Sequence, residues 1–218
     1  MDRIQENCAR LPREFFMTDA LALAKKLIGT VLVHETPHGR IRAVITETEA
    51  YMGVEDKGSH TYKGLRTDRT EPMFHIGGTS YVYAIYGMYY CVNVTAGEVD
   101  VPMAALIRMA KPADALSQNI MESLRSEALQ SRRAKRTGKA AETAVPAAVK
   151  KHLADGPGKL CIAMDITKKE NDIDMVTSDI FYLTEGIKVE ETRIALGKRI
   201  GIDYAEEAAE YLWRFTLT

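Results

Sequence analysis

The sequence has few of the residues that mark disulfide-rich or metal-binding proteins. Its three cysteines are scattered, and none has the spacing of a zinc-binding pair. We expect Cys8, Cys91 and Cys161 to be free thiols in a reducing compartment. The five histidines form neither an HxxxH nor an HExxH pattern, so metal chemistry has little support.

Long apolar runs are also missing from the chain. No stretch approaches the length of a transmembrane helix, and the first residues lack the basic-then-apolar order of a secretory signal. These features predict a cytoplasmic protein without membrane partners.

The chain has little excess charge of either sign. A net charge of −1 and a pI of about 6.5 weigh mildly against a nucleic-acid partner, because phosphate contacts need Lys and Arg. A neutral whole can still carry a basic face. The clearest basic clusters are Arg66 with Arg69, and Arg132, Arg133, Lys135 and Arg136. Clusters of this kind usually form a solvated face, and phosphate contact is the alternative.

The order of predicted elements indicates an α+β fold rather than a doubly wound one. With 218 residues and 46% hydrophobic content, the chain fits one domain over 1–218, with 113–155 as a surface extension of helix and loop. The first predicted helix spans Thr18–Gly29, with Thr18 at its N-cap and Asp19 in its first turn. The other predicted elements are strands at 30–34, 40–51, 80–86 and 89–95, helices at 113–136 and 146–153, a flexible loop at 137–147, a short helix after Gly158, short strands around 180–190 and a final strand at 213–217.

Carboxylates, a tyrosine and a histidine are concentrated in 47–60. If 40–51 is one regular strand, Ile41, Ile45, Glu49 and Tyr51 project to one side. The apolar residues Ile41 and Ile45 would then lie in the core, and Glu49 and Tyr51 at its edge. A carboxylate partly buried there can have the raised pKa of a general base. The alternative is that Glu49 and its neighbour Glu47 are solvated at a fraying strand end.

Five of the ten tyrosines lie in ten residues, from Tyr81 onward. Alternation puts Tyr81 and Tyr83 on one face, where Tyr83 can line a pocket. Gly87 is the natural turn residue, which leaves Tyr86 and Met88 at the tip of a hairpin. A tip tyrosine is either a surface residue in a small packing cluster or a wedge that enters something layered, such as a base stack.

Two polar residues, Asn93 and Arg108, interrupt apolar strands. A buried arginine needs a carboxylate partner, and Glu49 is a candidate. A purely structural ion pair is the alternative for Arg108.

Four ordered motifs resemble those of the alkyladenine, or 3-methyladenine (methylpurine), DNA glycosylases. They are Glu-Thr-Glu-Ala-Tyr-Met-Gly-x-Glu-Asp with a following His, Tyr-Val-Tyr-x-x-Tyr-Gly-Met-Tyr-x-Cys-x-Asn, Leu-Ile-Arg-x-x-x-Pro and Gly-Pro-x-Lys-Leu-Cys. The similarity runs from about residue 11 to the closing Trp-Arg-Phe, which is nearly the whole chain.

The resemblance implies a single mixed domain with a curved antiparallel sheet, surrounding helices and a protruding β-hairpin. It implies base-excision repair of damaged double-stranded DNA, in which the enzyme flips the nucleotide and hydrolyses the glycosidic bond of an alkylated purine. The implied lesions are 3-methyladenine and 7-methylguanine, with hypoxanthine as a further candidate. A monomer suffices, associated with the nucleoid in a bacterium or located in the nucleus in a eukaryote.

The resemblance also implies roles for individual residues. Glu49 activates the attacking water and Arg108 helps to position it. Electron-rich rings select cationic bases by cation–π attraction. The implied substrate-binding residues are Tyr51, His60, Tyr83 and Asn93, and the implied DNA-binding residues are Tyr86 and Met88 as the wedge, with Thr67, Arg69 and Lys159 at phosphates.

The resemblance implies neither a metal nor an organic cofactor, and a monofunctional reaction, because the matched catalytic motifs contain no lysine for a Schiff base. Two positions depart from the family pattern: Thr70 replaces the usual Asn, and Glu206 replaces a typical Gly. The alternatives are a lesion-binding protein without activity and a hydrolase of small nucleosides. Dependence on DNA separates these two alternatives from the glycosylase hypothesis.

Overall fold

The structure is a computed structural model that describes residues 8–137 and 145–218. The predicted loop at 137–147 therefore lies largely outside the described residues. Helix bounds are α1 Arg13–Phe16, α2 Ala20–Leu27, α3 Ala115–Thr137, α4 Ala147–Lys151 and α5 Pro157–Ala163. Strand bounds are β1 Val31–Thr36, β2 Gly39–Tyr51, β3 Ser80–Ile85, β4 Tyr89–Ala96, β5 Met103–Pro112, β6 Phe181–Thr184, β7 Ile194–Gly197 and β8 Arg214–Leu217.

Helix α2 begins one residue later than the sequence predicts. Asp19, not Thr18, is the N-cap, and its carboxylate accepts a hydrogen bond from the Ala22 amide at 2.8 Å. Both residue types cap helices well, so adjacent candidates cannot be separated by propensity. Gly29 follows the helix end with φ +90°, a conformation that glycine adopts without steric cost.

The strands form one curled antiparallel sheet, so the predicted α+β class is confirmed. The main strand order is β3-β4-β5-β2-β1-β6. Strand β2 pairs with β5 along one edge; on its other edge it pairs with β1 through its first half and with β8 through Glu47–Glu49. Strand β2 is therefore central and spans both branches of the sheet.

Strand β2 is irregular near its middle, which corrects the predicted alternation. The pairing of β2 with β5 shifts on both sides of Glu47, which leaves Thr46 and Arg108 outside the register. Ile41 and Ile45 belong to the core beside α2, yet beyond the shift Thr48 takes the core position and donates to the Ala24 carbonyl. The bulge therefore turns Glu47, Glu49 and Tyr51 away from the face of Ile41 and Ile45.

The main core lies between the sheet and the helices. It includes Leu23 and Leu27 of α2, Met121 of α3 and Leu160 of α5, all fully buried against apolar residues of β2, β4 and β5. In the described part of the chain, no helix is long and apolar enough to cross a membrane.

Candidate active site

A cavity of about 320 Å³ opens beside the β3–β4 hairpin, on the side of the sheet to which the bulge directs Tyr51. Its volume lies at the lower end of the range for small-molecule pockets, which suits one flat ring system. The lining residues are Tyr51, Gly58, Ser59, His60, Arg69, Met73, Tyr81, Tyr83, Ile85, Tyr86, Cys91, Asn93, Leu106, Arg108, Pro157, Ile200, Gly201, Ile202 and Tyr204.

Aromatic rings form one wall of the cavity. Tyr81 and Tyr83 project from the same face of β3, as the alternation predicts, with ring centroids 5.2 Å apart. The His60 ring meets Tyr83 edge to face at 4.6 Å, and its Nδ1 lies 2.9 Å from the Tyr81 hydroxyl. The wall is therefore preassembled from two remote segments.

His60 is held in its neutral form. Burial, with a further contribution from the positive charge of Arg69, lowers the pKa of His60 from 6.5 to about 4. The Arg69 guanidinium carbon lies 5.1 Å from the centroid of the Tyr83 ring. Near neutral pH, His60 therefore offers the cavity a ring with little positive charge.

Glu49 lies behind the cavity wall and is 0% exposed. Its Oε2 accepts from the Tyr51 hydroxyl at 2.9 Å, its Oε1 accepts from the Ile200 amide at 2.9 Å, and Arg108 Nη1 lies 3.2 Å from Oε1. Burial raises the pKa of Glu49, and Arg108, the Ile200 amide and the Tyr51 hydroxyl partly oppose that rise. This environment suits a carboxylate that must accept a proton near neutral pH.

Arg108 contacts two carboxylates, of which only Glu49 was proposed as a partner. Its Nε donates to Glu47 Oε1 at 2.8 Å, while Glu47 Oε2 accepts from Arg214 Nη1 and the Thr216 hydroxyl, each at 2.9 Å. Glu47 is 2% exposed, so the alternative of solvated carboxylates at a fraying strand end is wrong. The ion pair with Glu47 is structural, whereas Arg108 itself lines the cavity in front of Glu49.

Arg199 supports this site from behind Tyr51. The Arg199 guanidinium carbon lies 4.8 Å from the ring centroids of both Tyr51 and Trp213. Its Nη2 donates to Asp56 Oδ1 at 2.8 Å, and both side chains are fully buried. The cation fixes the Tyr51 ring and joins the 52–58 loop to the segment that carries Ile200.

The hairpin tip is the most exposed part of the cavity rim. Tyr86 is 87% exposed, and Met88 beside it is 59% exposed. Tyr86 and Gly87 have φ values of +50° and +66°, the signs that a type I′ turn requires, and the Met88 amide donates to the Ile85 carbonyl at 3.2 Å. The turn therefore presents two apolar side chains to solvent, as the sequence predicts.

The other predicted residues take less uniform positions. Asn93 lines the cavity and donates from Nδ2 to the Tyr81 carbonyl at 3.0 Å. Arg69 also lines the cavity, although the resemblance implies a phosphate contact. Thr67 lies in an exposed turn, and Lys159 pairs with Asp155 at 2.8 Å. In the described chain, Thr67, Met88, Lys159 and Glu49 are outside the cavity lining.

Sequence reasoning missed several residues of the site. Tyr81 was detectable, since it shares a face with Tyr83. Ile200 and Tyr204 lie about 150 residues after Glu49 and carry no motif that predicts their position. Ile200 reaches Glu49 through its backbone amide, and side-chain identity cannot predict such a contact. Among the described residues, no group of three or more His, Cys, Asp or Glu side chains is placed to hold a metal ion.

Comparison with known proteins gives a consistent assignment over nearly the whole chain. The profile of the methylpurine-DNA glycosylase family matches residues 14–218. Proteins named "Putative 3-methyladenine DNA glycosylase" are similar in Clostridium acetobutylicum (43% identity over 94% of this chain and 93% of that protein) and in Desulfitobacterium hafniense (41% identity over 95% of each). A protein of the same name in Bacillus cereus is 42% identical over 94% of this chain and 93% of its own length.

Proposed function

We propose that this protein, a DNA repair glycosylase of the methylpurine-DNA glycosylase family, removes alkylated purines that are flipped out of double-stranded DNA. The observation that carries the proposal is the position of Glu49. It is a buried carboxylate with two hydrogen-bond donors and an arginine ion pair, set directly behind an aromatic cavity that accommodates one base.

The proposed chemistry is a hydrolysis at the sugar. The oxygen of a water molecule bonds to C1′, the bond from C1′ to the purine nitrogen breaks, and its electron pair leaves with the base. Glu49 accepts the proton of the water, and Arg108 orients the carboxylate and the water. The products are the free base and an abasic site.

The proposed reaction is monofunctional. Strand cleavage through a Schiff base needs an amine nucleophile at the reacting carbon. The described residues that line the cavity include Arg69 and Arg108 but no lysine. A water route through Glu49 is therefore the chemistry that the side chains support best.

The cavity wall supports a mixed preference for lesions. The rings of Tyr51, Tyr83 and neutral His60 favour cationic bases such as 3-methyladenine and 7-methylguanine. Arg69 opposes that preference, because its guanidinium lies over Tyr83 and repels a second cation. A neutral base with an acceptor oxygen, such as hypoxanthine, gains a donor from Arg69 and needs proton donation to leave.

Base release from methylated duplex DNA in EDTA tests the proposal. We expect the wild type to release 3-methyladenine and Glu49→Gln to lose at least about 100-fold in rate, the lower range for a general base. Glu47→Gln is the matched control: it removes a buried carboxylate from the same arginine but away from the cavity, and we expect it to retain most of the activity.

The other outcomes separate the competing functions. Lesion-selective binding by the wild type without release supports a damage-binding protein. Release from free methylated nucleosides, with none from DNA, supports a small-molecule hydrolase. Equal losses in Glu47→Gln and Glu49→Gln contradict the assignment of Glu49 as the base.

A further inference from the structure

The outer half of the β3–β4 hairpin extends beyond the sheet. Within the described chain, β4 pairs with β5 only from Val92 onward, so Tyr89, Tyr90 and Cys91 have no β5 partner. These residues pair with β3 alone, up to Ile85 opposite Tyr89. The tip that carries Tyr86 therefore needs support from outside the sheet.

Helix α3 supplies that support through Arg132. The Arg132 guanidinium lies 4.3 Å from the centroid of the Tyr89 ring, and its Nη1 donates to the Tyr89 hydroxyl at 2.7 Å. Its Nη2 also donates to the Met88 carbonyl at 3.4 Å, within the turn itself. One side chain thus contacts both a strand residue and the backbone of the tip.

A second contact holds the same tyrosine from α5. Gly158 lies so close to Tyr89 that an added Cβ would be 2.8 Å from the ring Cδ1 atom. Because Gly158 packs on the Tyr89 ring while Arg132 binds its hydroxyl, two helices fix one side chain three residues after Tyr86. The base of the turn is anchored, and Tyr86 stays exposed.

We propose that Arg132 is a positioning residue, which holds the hairpin rigid so that Tyr86 can displace a nucleotide from the base stack. The inference rests on the proposed function and on the wedge role that the family resemblance implies for Tyr86. Unstacking a base costs a few kcal/mol. If the hairpin were flexible, Tyr86 would move aside instead of separating the bases, and less binding energy would contribute to flipping.

This role separates Arg132 from the basic run around it. The run at the end of α3 was interpreted as a solvated face, with phosphate contact as the alternative. Arginine suits the inferred role because its planar fork can serve two acceptors at once, whereas the single ammonium group of lysine cannot match that geometry.

The experiment uses one methylated oligonucleotide, either alone or annealed to its complement, and measures single-turnover release of 3-methyladenine. A wedge is needed only where the lesion must leave a duplex. We expect Arg132→Ala to lower release from the duplex about tenfold, as for the loss of a charged hydrogen bond, and release from the single strand by less than about twofold.

Three further variants sharpen the test. Tyr89→Phe removes the acceptor but keeps the ring, and we expect a smaller loss, confined to the duplex. Combining it with Arg132→Ala should add nothing, because the contact is already gone. Lys135→Ala removes one exposed positive charge from the same helix and should leave the duplex rate within about twofold of the wild type.

Each outcome bears on the inference. Equal losses by Arg132→Ala on the two substrates overturn it, because misfolding or weak binding lowers both rates together. A matching duplex loss in Lys135→Ala, or additive losses in the double variant, also overturn it. Failure of the wild type on both substrates contradicts the proposed function instead.

Discussion

The two ends of the proposed site differ in how they are held. Glu49 is fully buried, and its partners come from β2, β5 and the segment at Ile200. Tyr86 is 87% exposed and sits in a turn, with its support three residues away at Tyr89. The structure thus contrasts a buried end with fixed contacts and an exposed end with few; in the proposed function, the first carries out the chemistry and the second contacts DNA.

The largest expected effect tests the buried end. Arg108→Met leaves Glu47 and Glu49 without their shared guanidinium, and we expect stability to fall by about 3–5 kcal/mol. Because Arg108 lowers the pKa of Glu49, its removal raises that pKa. The base must be ionised to act, so the acidic limb of the pH–rate profile should move to higher pH.

Urea denaturation and single-turnover rates between pH 5 and 8 measure both effects. Arg108→Lys, which keeps the charge but not the fork, is the control and should shift the limb less. If the acidic limb of the pH–rate profile does not move in Arg108→Met, Arg108 does not lower the pKa of Glu49.

The second prediction concerns His60, which lies in the aromatic wall of the cavity. Its pKa falls from 6.5 to about 4 on folding, so the unfolded chain binds the proton more tightly. The stability from neutral His60 is full above pH 6.5 and is lost as the pH falls towards 4, by about 2 kcal/mol between pH 7 and pH 5.

His60→Gln removes the titration, so its stability should change less than that of the wild type over this range. Urea denaturation at pH 7 and pH 5 measures the difference between the two proteins. Parallel losses in the wild type and the variant would place the pH dependence elsewhere in the molecule.

The third prediction tests the exposed end. Tyr86→Ala removes a side chain with few protein contacts, so we expect the free energy of unfolding to change by less than about 0.5 kcal/mol. Release of 3-methyladenine from duplex DNA should fall about tenfold or more, because flipping loses its wedge. Tyr86→Phe keeps the ring and should retain most of the rate. A loss of stability in Tyr86→Ala would remove the contrast between the two ends.

The exposed end was more predictable from sequence than the buried end. The hairpin follows from alternating tyrosines and Gly87, which are local signals. The face of Glu49 does not, because a bulge at Thr46 and Arg108 reverses the alternation and the sequence there carries no sign of it. The strand pattern singled out Glu49 and Tyr51 as candidates but assigned them to the wrong face, and their specific roles came from the resemblance to a family.

The supports of the site were the least predictable parts. Arg199 stacks between Tyr51 and Trp213, and Arg132 binds Tyr89, through contacts that join segments far apart in sequence. In the sequence, a solvent-exposed arginine in a basic run cannot be distinguished from one that binds another side chain. Only the packing of helices and loops around the sheet distinguishes the two cases.

The smallest expected effect concerns Glu206, which lies just after the cavity residue Tyr204 and for which the resemblance implies a glycine. Glu206 has φ +51°, which costs a non-glycine residue about 1–2 kcal/mol. Glu206→Gly relieves that strain but gives the unfolded chain more freedom, worth about 0.4–1 kcal/mol, and loses an exposed pair with Lys57. Lys57 keeps Glu207 at 2.8 Å, so the loss of the pair is buffered.

We therefore expect Glu206→Gly to gain about 0.5 kcal/mol in urea denaturation, with base release unchanged. Glu206→Ala is the matched control, because it loses the same ion pair but keeps a side chain at positive φ, and it should be less stable than the glycine variant. If the alanine and glycine variants are equally stable, backbone strain at Glu206 is negligible and the ion pair decides this position. A change in base release in Glu206→Gly would instead link the conformation of this segment to the Ile200 amide, and so to Glu49.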